Sequence, residues 1–118
     1  RSWSSPRKTS IWGHPPHLLR LQSGNLLCVY GYRRLPYGIR ACLSHDEGKT
    51  WDIQNELILR VDGIDRDVGY PTSVQLPDGT IFTIWYMCEG APDMPQAGGW
   101  FAYNYPLGYI GGTLYREA

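Results

Sequence analysis

Three cysteines, two phenylalanines and two methionines are all that 118 residues hold of those types, and eleven basic side chains are balanced by eleven acidic ones. With no net charge there is no field to draw the chain to nucleic acid or to an anionic membrane surface. No apolar run approaches the roughly 20 residues that span a bilayer, and the start of the chain lacks the charged, apolar and small-residue regions of a signal peptide. Neither a nucleic-acid nor a membrane partner is expected. A first residue other than Met is compatible with a processed, a trimmed or a partial chain. Cys28, Cys42 and Cys88 are odd in number, sit among apolar neighbours and lack Cys-x-x-Cys spacing, which argues against a disulfide framework or a structural zinc site. They read as small buried hydrophobes, and no metal or cofactor is expected.

What the chain does hold is glycine, proline and aromatic residues: fourteen Gly, nine Pro, five Trp and nine Tyr. With few helix-period stretches, that composition predicts an all-β fold of short strands and tight turns. A repeat sharpens this. The segments GHPPHLLRLQSGNLLCVY from Gly13 and GYPTSVQLPDGTIFTIW from Gly69 share a layout of Gly, ring residue, Pro, strand, Gly-containing turn and strand. Leu19 and Leu21 answer to Val74 and Leu76, Gly24 to Gly79, and Leu26 and Leu27 to Ile81 and Phe82. The offset is about 55 residues, in the range of a four-stranded propeller blade.

A third strand is expected over Tyr37 to Ser44 in the first unit and over Gly108 to Tyr115 in the second, and a fourth only in the first, from Trp51 to about Arg60. Residues 1–12, where Ser2-Trp3-Ser4 resembles Thr50-Trp51-Asp52, then read as a strand of a neighbouring blade. Residues 13–62 form a first blade and 63–118 a second blade of three strands. Such a pair has open edges. They must be covered by the rest of a longer polypeptide or by other copies, three of which would close a six-bladed ring.

The stretch SHDEGKTW, Ser44 to Trp51, crowds acid, imidazole and hydroxyl groups into one turn. Successive residues on a turn do not converge on one ion, so a metal site at His45, Asp46 and Glu47 is not expected. Asp46 suits an Asx-type turn, Gly48 supplies positive φ and Trp51 packs the turn down. With the spacing Ser44, Asp46, Gly48, Thr50, Trp51, the stretch resembles the Asp-box, or bacterial neuraminidase repeat. GYPTSVQLPDGTIFTIWY similarly resembles a hairpin of the sialidase family. The resemblance covers roughly Trp3 to Tyr115 and looks like the last third of a six-bladed sialidase-like propeller.

That resemblance implies a ligand pocket away from the Asp-box, lined by the loops that enter the innermost strands. Tyr70 stands where the family's tyrosine nucleophile stands, and Glu89 is near, though shifted from, the position of its glutamate base. Arg33, Arg34 and Arg40 are candidates for arginines that grip a carboxylate. His14, equivalent to Tyr70 in the first unit, and Asp67 are further pocket candidates. From its composition, rich in Gly, Pro and aromatics without periodicity, the segment between Glu89 and Pro106 reads equally as a disordered loop or as one that places Trp100, Tyr103 and Tyr105 for stacking on sugar rings. Two functions follow: a portion of a glycoside hydrolase acting on acidic sugars with Tyr70 as nucleophile, or a non-catalytic propeller module that binds carbohydrate or assembles with itself.

Overall fold

The computed structural model describes residues 2–89 and 107–117. Among them it shows two antiparallel sheets and no α-helix. The first sheet is a meander of β1 (Pro16–Arg20), β2 (Leu26–Tyr32), β3 (Tyr37–Ser44) and β4 (Leu57–Gly63) in the order β1-β2-β3-β4. The second contains β5 (Gly69–Gln75), β6 (Thr80–Glu89) and β7 (Leu107–Arg116) in the order β5-β6-β7.

The two hairpins close alike. In the first, Leu21 N–H donates to Asn25 O and Gly24 N–H to Leu21 O, both at 2.9 Å; in the second, Leu76 N–H donates to Thr80 O at 2.7 Å and Gly79 N–H to Leu76 O at 2.9 Å. Gly24 at φ 92° and Gly79 at φ 86° occupy the left-handed backbone that such turns demand. The equivalence of Leu21 with Leu76 and of Gly24 with Gly79 is thus present in the backbone.

Alternation along each strand then sorts the side chains. Leu27, Val29, Ile39 and Ala41 of the first sheet are buried with Ile81, Trp85 and Met87 of the second, and this is the core between the sheets. Its hydroxyls are paired: Ser73 and Thr83 hydroxyls lie 2.7 Å apart, and Thr83 is 2.8 Å from the Tyr115 hydroxyl, so burial leaves none of the three unsatisfied, whereas the buried Trp85 indole N–H has no partner among the described residues. The opposite face of the first sheet buries Cys28, Tyr30 and Cys42 beneath Ile11, Trp51 and Ile53.

One strand departs from expectation. The fourth begins at Leu57 rather than Trp51 and runs on to Gly63, because the Asp52 carboxylate accepts from Asn55 N–H at 3.3 Å and from its side-chain amide at 2.9 Å, winding Ile53–Asn55 into a 3₁₀ turn. Such local capping competes with the ladder. The β3–β4 register also shifts on both sides of Ile39. Residues 2–12 pair with neither sheet among the described residues.

Candidate functional site

The two sheets come into close backbone contact at a glycine. A Cβ on Gly31, near the end of β2, would lie 2.8 Å from both His14 O and Val68 O and 2.9 Å from the Cα of Gly69. Only a residue without a side chain lets three backbone segments converge here. The seam joins the His14 loop, which donates its N–H to Gly31 O at 3.0 Å, to the start of β5. Gly69, at φ 134°, turns the chain so that Tyr70, itself at φ 51°, points outward with 66% of its surface exposed. A non-glycine residue at positive φ carries a cost that the surrounding backbone must hold in place.

Arg33 and Arg34 follow β2 and take different partners near this seam. Arg33 donates Nε–H to Val68 O at 2.9 Å, and its Cζ stands 5.8 Å from the centre of the Tyr70 ring. Arg34 lies over the Trp12 ring at 3.7 Å. Trp12 in turn meets Tyr32 edge-on at 5.4 Å and His14 at 5.9 Å. The result is a surface of rings and guanidinium groups in which the His14 and Tyr70 loops are neighbours through the Gly31–Gly69 seam.

Arg40 is engaged elsewhere. It stacks on Tyr32 at 3.4 Å and forms an ion pair with Glu56 at 2.6 Å, its side chain only 15% exposed. The second oxygen of Glu56 accepts from the Tyr30 hydroxyl. Burial, followed by that hydrogen bond, pushes the Tyr30 hydroxyl far above the usual phenol range. Arg33, Arg34 and Arg40 therefore hold three different stations rather than converging on one anion. Arg40 instead supports Tyr32, and through it Trp12.

Asp67 lies in the loop before β5, and its Oδ2 accepts from the Tyr86 hydroxyl at 3.2 Å and from the Cys88 thiol at 3.7 Å. The Tyr86 and Cys88 side chains are 3.0 Å apart. The Cys88 contact first, then burial and the negative charge nearby, raise the Tyr86 hydroxyl above its ordinary value. Tyr86 pairs with Gly69 in the ladder, whereas Glu89 closes β6 opposite Leu107, further along the strand. The position facing the start of β5 therefore carries a phenol. Trp100, Tyr103 and Tyr105 lie outside the described residues.

The Ser44–Trp51 turn stands at the far end of β3 from Tyr32, since Ser44 pairs with Leu26 while Gly38 pairs with Tyr32. Asp46 accepts from Thr50 N–H at 2.8 Å and from the Thr50 hydroxyl at 2.6 Å, and Ser44 Oγ accepts from Gly48 N–H at 2.8 Å. Those bonds, the Thr50 hydroxyl foremost, hold the Asp46 carboxyl down at about 2. Glu47 at φ 60° and Gly48 at φ 76° make the reversal, and Glu47 clasps Arg20 with both oxygens. At this end a cleft of about 310 Å³ opens between the sheets over Leu21, Leu27, Leu43 and Ile81. Its rim is internally paired: Asp52 holds Asn55, and Arg116 holds Asp78 at 3.2 Å.

Sequence reasoning passed over Trp12, Tyr32 and Glu56. The first was legible in Trp12-Gly13-His14, a ring beside a loop already singled out. The others depend on cross-strand neighbours that no local pattern announces.

No protein-family model matches this chain, and no curated protein matches it. Among solved structures, it is similar to the crystal structure of a protein of unknown function from Dyadobacter fermentans DSM 18053, with 34% identity and a TM-score of 0.68 over 92% of this chain. The match covers 26% of that chain, so this sequence spans about a quarter of its structural neighbour's length.

Proposed function

We propose that this chain forms two units of a sialidase-like β-propeller and binds an acidic glycan where Arg33 and Tyr70 meet. The observation that carries the reading is that juxtaposition: a guanidinium fixed by one nitrogen to Val68 O, beside an outward-facing ring 5.8 Å away. Anchoring Nε leaves the two terminal nitrogens as a fork suited to a carboxylate. An exposed phenol offers an apolar face for a sugar ring and a polar tip for its hydroxyls. Carboxylate and sugar together describe an acidic monosaccharide, and the Arg34–Trp12 stack extends the same chemistry.

The propeller reading is supported by the way the sheets stack. Leu26 and Ile81 are equivalent by hairpin, yet Ile81 faces the core between the sheets while Leu27, not Leu26, does so from the first sheet. The sheets are thus stacked in the same sense, as in a circular array, and not mirrored as in a two-sheet sandwich. The Asp46 turn supports the same family.

Hydrolysis would need Tyr70 to attack the anomeric carbon while a base takes its proton. Tyr86, paired across from Gly69, supplies a phenol there, and the carboxylate near it, Asp67, is already bonded to Tyr86 and Cys88. This favours binding without turnover by the isolated chain. Calorimetric titration with a sialoside, and with its uncharged parent sugar as control, tests the reading. Binding of the sialoside alone, weakened by Arg33→Ala, is expected; equal binding of both sugars, or of neither at millimolar concentration, overturns it. Hydrolysis of a fluorogenic sialoside that is abolished by Tyr70→Phe would instead establish the catalytic form.

A further inference from the structure

We infer that the ligand of the Arg33–Tyr70 surface is a glycan with two acidic sugars in succession, the second held by Arg34 over Trp12. This rests on the acidic-glycan reading above and adds to it a second charge and a second subsite.

Arg33 and Arg34 both lack an acid. Among the described residues the ion pairs take up Arg20, Arg40, Arg60 and Arg116, and neither Arg33 nor Arg34 meets a carboxylate. Two acids of this part of the fold are otherwise engaged: Asp67, one residue before Val68, accepts from Tyr86 and Cys88, and Glu56 holds Arg40 and Tyr30. Two positive charges, on residues whose Cα atoms are about 3.8 Å apart, therefore stand together without a counter-charge. Like charges so placed repel each other, and a ligand that brings negative charge relieves the repulsion.

Their anchors differ, so they serve separate anions. Arg33 is tethered by Nε–H to Val68 O and lies 5.8 Å from the centre of the Tyr70 ring, whereas the Arg34 guanidinium lies 3.7 Å over the Trp12 ring. Stacking uses the flat face of a guanidinium and leaves its donors free around the rim. Each group thus keeps a fork, and each fork stands at its own ring. Trp12 is braced edge-on by Tyr32 at 5.4 Å, which Arg40 backs at 3.4 Å; with Arg40 paired to Glu56, the charge left over in that stack is that of Arg34. The two stations come from different loops, Tyr70 from the start of β5 and Trp12 from just ahead of His14, and the close approach at Gly31 makes those loops neighbours. A ring with a guanidinium beside it occurs twice, and the ligand it fits repeats as well: a sugar face with a carboxylate, followed by another. An acidic sugar linked to an uncharged one leaves Arg34 without a counter-charge, as in the free protein.

Calorimetric titration of the full chain with three ligands tests this: a methyl sialoside, a disialoside of two linked sialic acids, and a sialoside whose second sugar is uncharged. The disialoside is expected to bind at least about tenfold more tightly than the other two, as one added charge-assisted contact provides. Arg34→Gln is expected to erase that gain with an unchanged far-ultraviolet dichroism spectrum, since the side chain is exposed. Lys49→Gln, which removes the same charge at the Asp46 turn, is expected to retain it. Equal affinity for the methyl sialoside and the disialoside, or a gain of only about twofold, the statistical effect of offering two acids to one site, overturns the inference. So does the same gain from the uncharged extension, or a gain that outlasts Arg34→Gln; each of these leaves the single-acid reading standing. Failure of all three ligands to bind at millimolar concentration overturns that reading itself and the inference with it, so the two failures are distinguishable.

Discussion

Gly31 and Gly69 touch across the two sheets so closely that a Cβ on Gly31 would stand 2.9 Å from the Gly69 Cα. Contacts under 3.0 Å to backbone on three sides leave no side chain to give way. Gly31→Ala is therefore expected to destabilise the fold by about 1–3 kcal/mol, the range for overpacking a tight site. The same change should alter the tyrosine near-ultraviolet signal as the Tyr70 loop is pushed back. A urea midpoint equal to the parent's would show that the seam is looser than its geometry.

The Asp46 turn responds to acid. Its carboxyl is held at about 2, below the unfolded value near 4, so between those values the unfolded chain binds the additional proton and stability rises with pH. The contribution is complete above the unfolded value and disappears as pH falls through the folded one. Asp46→Asn removes that group's share: the parent should lose more of its urea midpoint between pH 4 and pH 2 than the variant does. Identical slopes for the two proteins would sink the assignment.

The hairpins, the third strand Tyr37–Ser44 and the Asp46 turn were legible because each rests on nearby residues: Gly at a reversal, alternation along a strand, a carboxylate four positions from the groups it accepts from. The start of β4 was not, because Asp52 redirects the chain into a 3₁₀ turn that the apolar pattern through Ile53 conceals. Tyr70 was singled out by its resemblance to the sialidase family's tyrosine, and His14 by its equivalent place in the first unit; the fold brings their two loops together at the Gly31–Gly69 seam. Arg40 was set among the ligand-facing arginines because charge type says nothing of its partner; Glu56, sixteen positions on, meets it only once β3 and β4 pair.

That pair should be costly to break. Removing Arg40 leaves Glu56 half-buried with only the Tyr30 hydroxyl, and loss of one partner of a buried pair costs roughly 3–5 kcal/mol. Arg40→Ala belongs at the lower end, since both side chains keep some exposure to water, and Glu56→Gln should cost less because it still accepts from Tyr30. Thermal or urea unfolding of both variants checks the ranking. Arg40→Ala should also blue-shift or quench Trp12 differently from the parent, because Tyr32 loses the guanidinium that backs it.

The three thiols should be inert in the folded chain. Burial pushes Cys28 up to about 11 and Cys42 to about 12, and raises Cys88, so little thiolate is present near pH 8 and none of the three is accessible. Reactivity follows the thiolate. Iodoacetamide at pH 8 is expected to leave the native mass unchanged over the time in which it adds to all three cysteines in urea. Rapid native labelling of Cys88 alone would mean that the Tyr86–Asp67 enclosure opens.

Arg33→Lys separates charge from geometry at the Tyr70 surface. Arginine holds Val68 O with Nε and still presents two further nitrogens; an ammonium cannot do both at once, being a single point on a flexible stem. If the fork is what meets a carboxylate, the variant keeps the fold and the net charge yet loses about tenfold in sialoside affinity, equivalent to about 1.4 kcal/mol. Isothermal titration at two salt concentrations discriminates the cause. A purely long-range attraction would survive the substitution and fade with salt in both proteins, whereas a bidentate contact is lost on substitution even where salt has little effect.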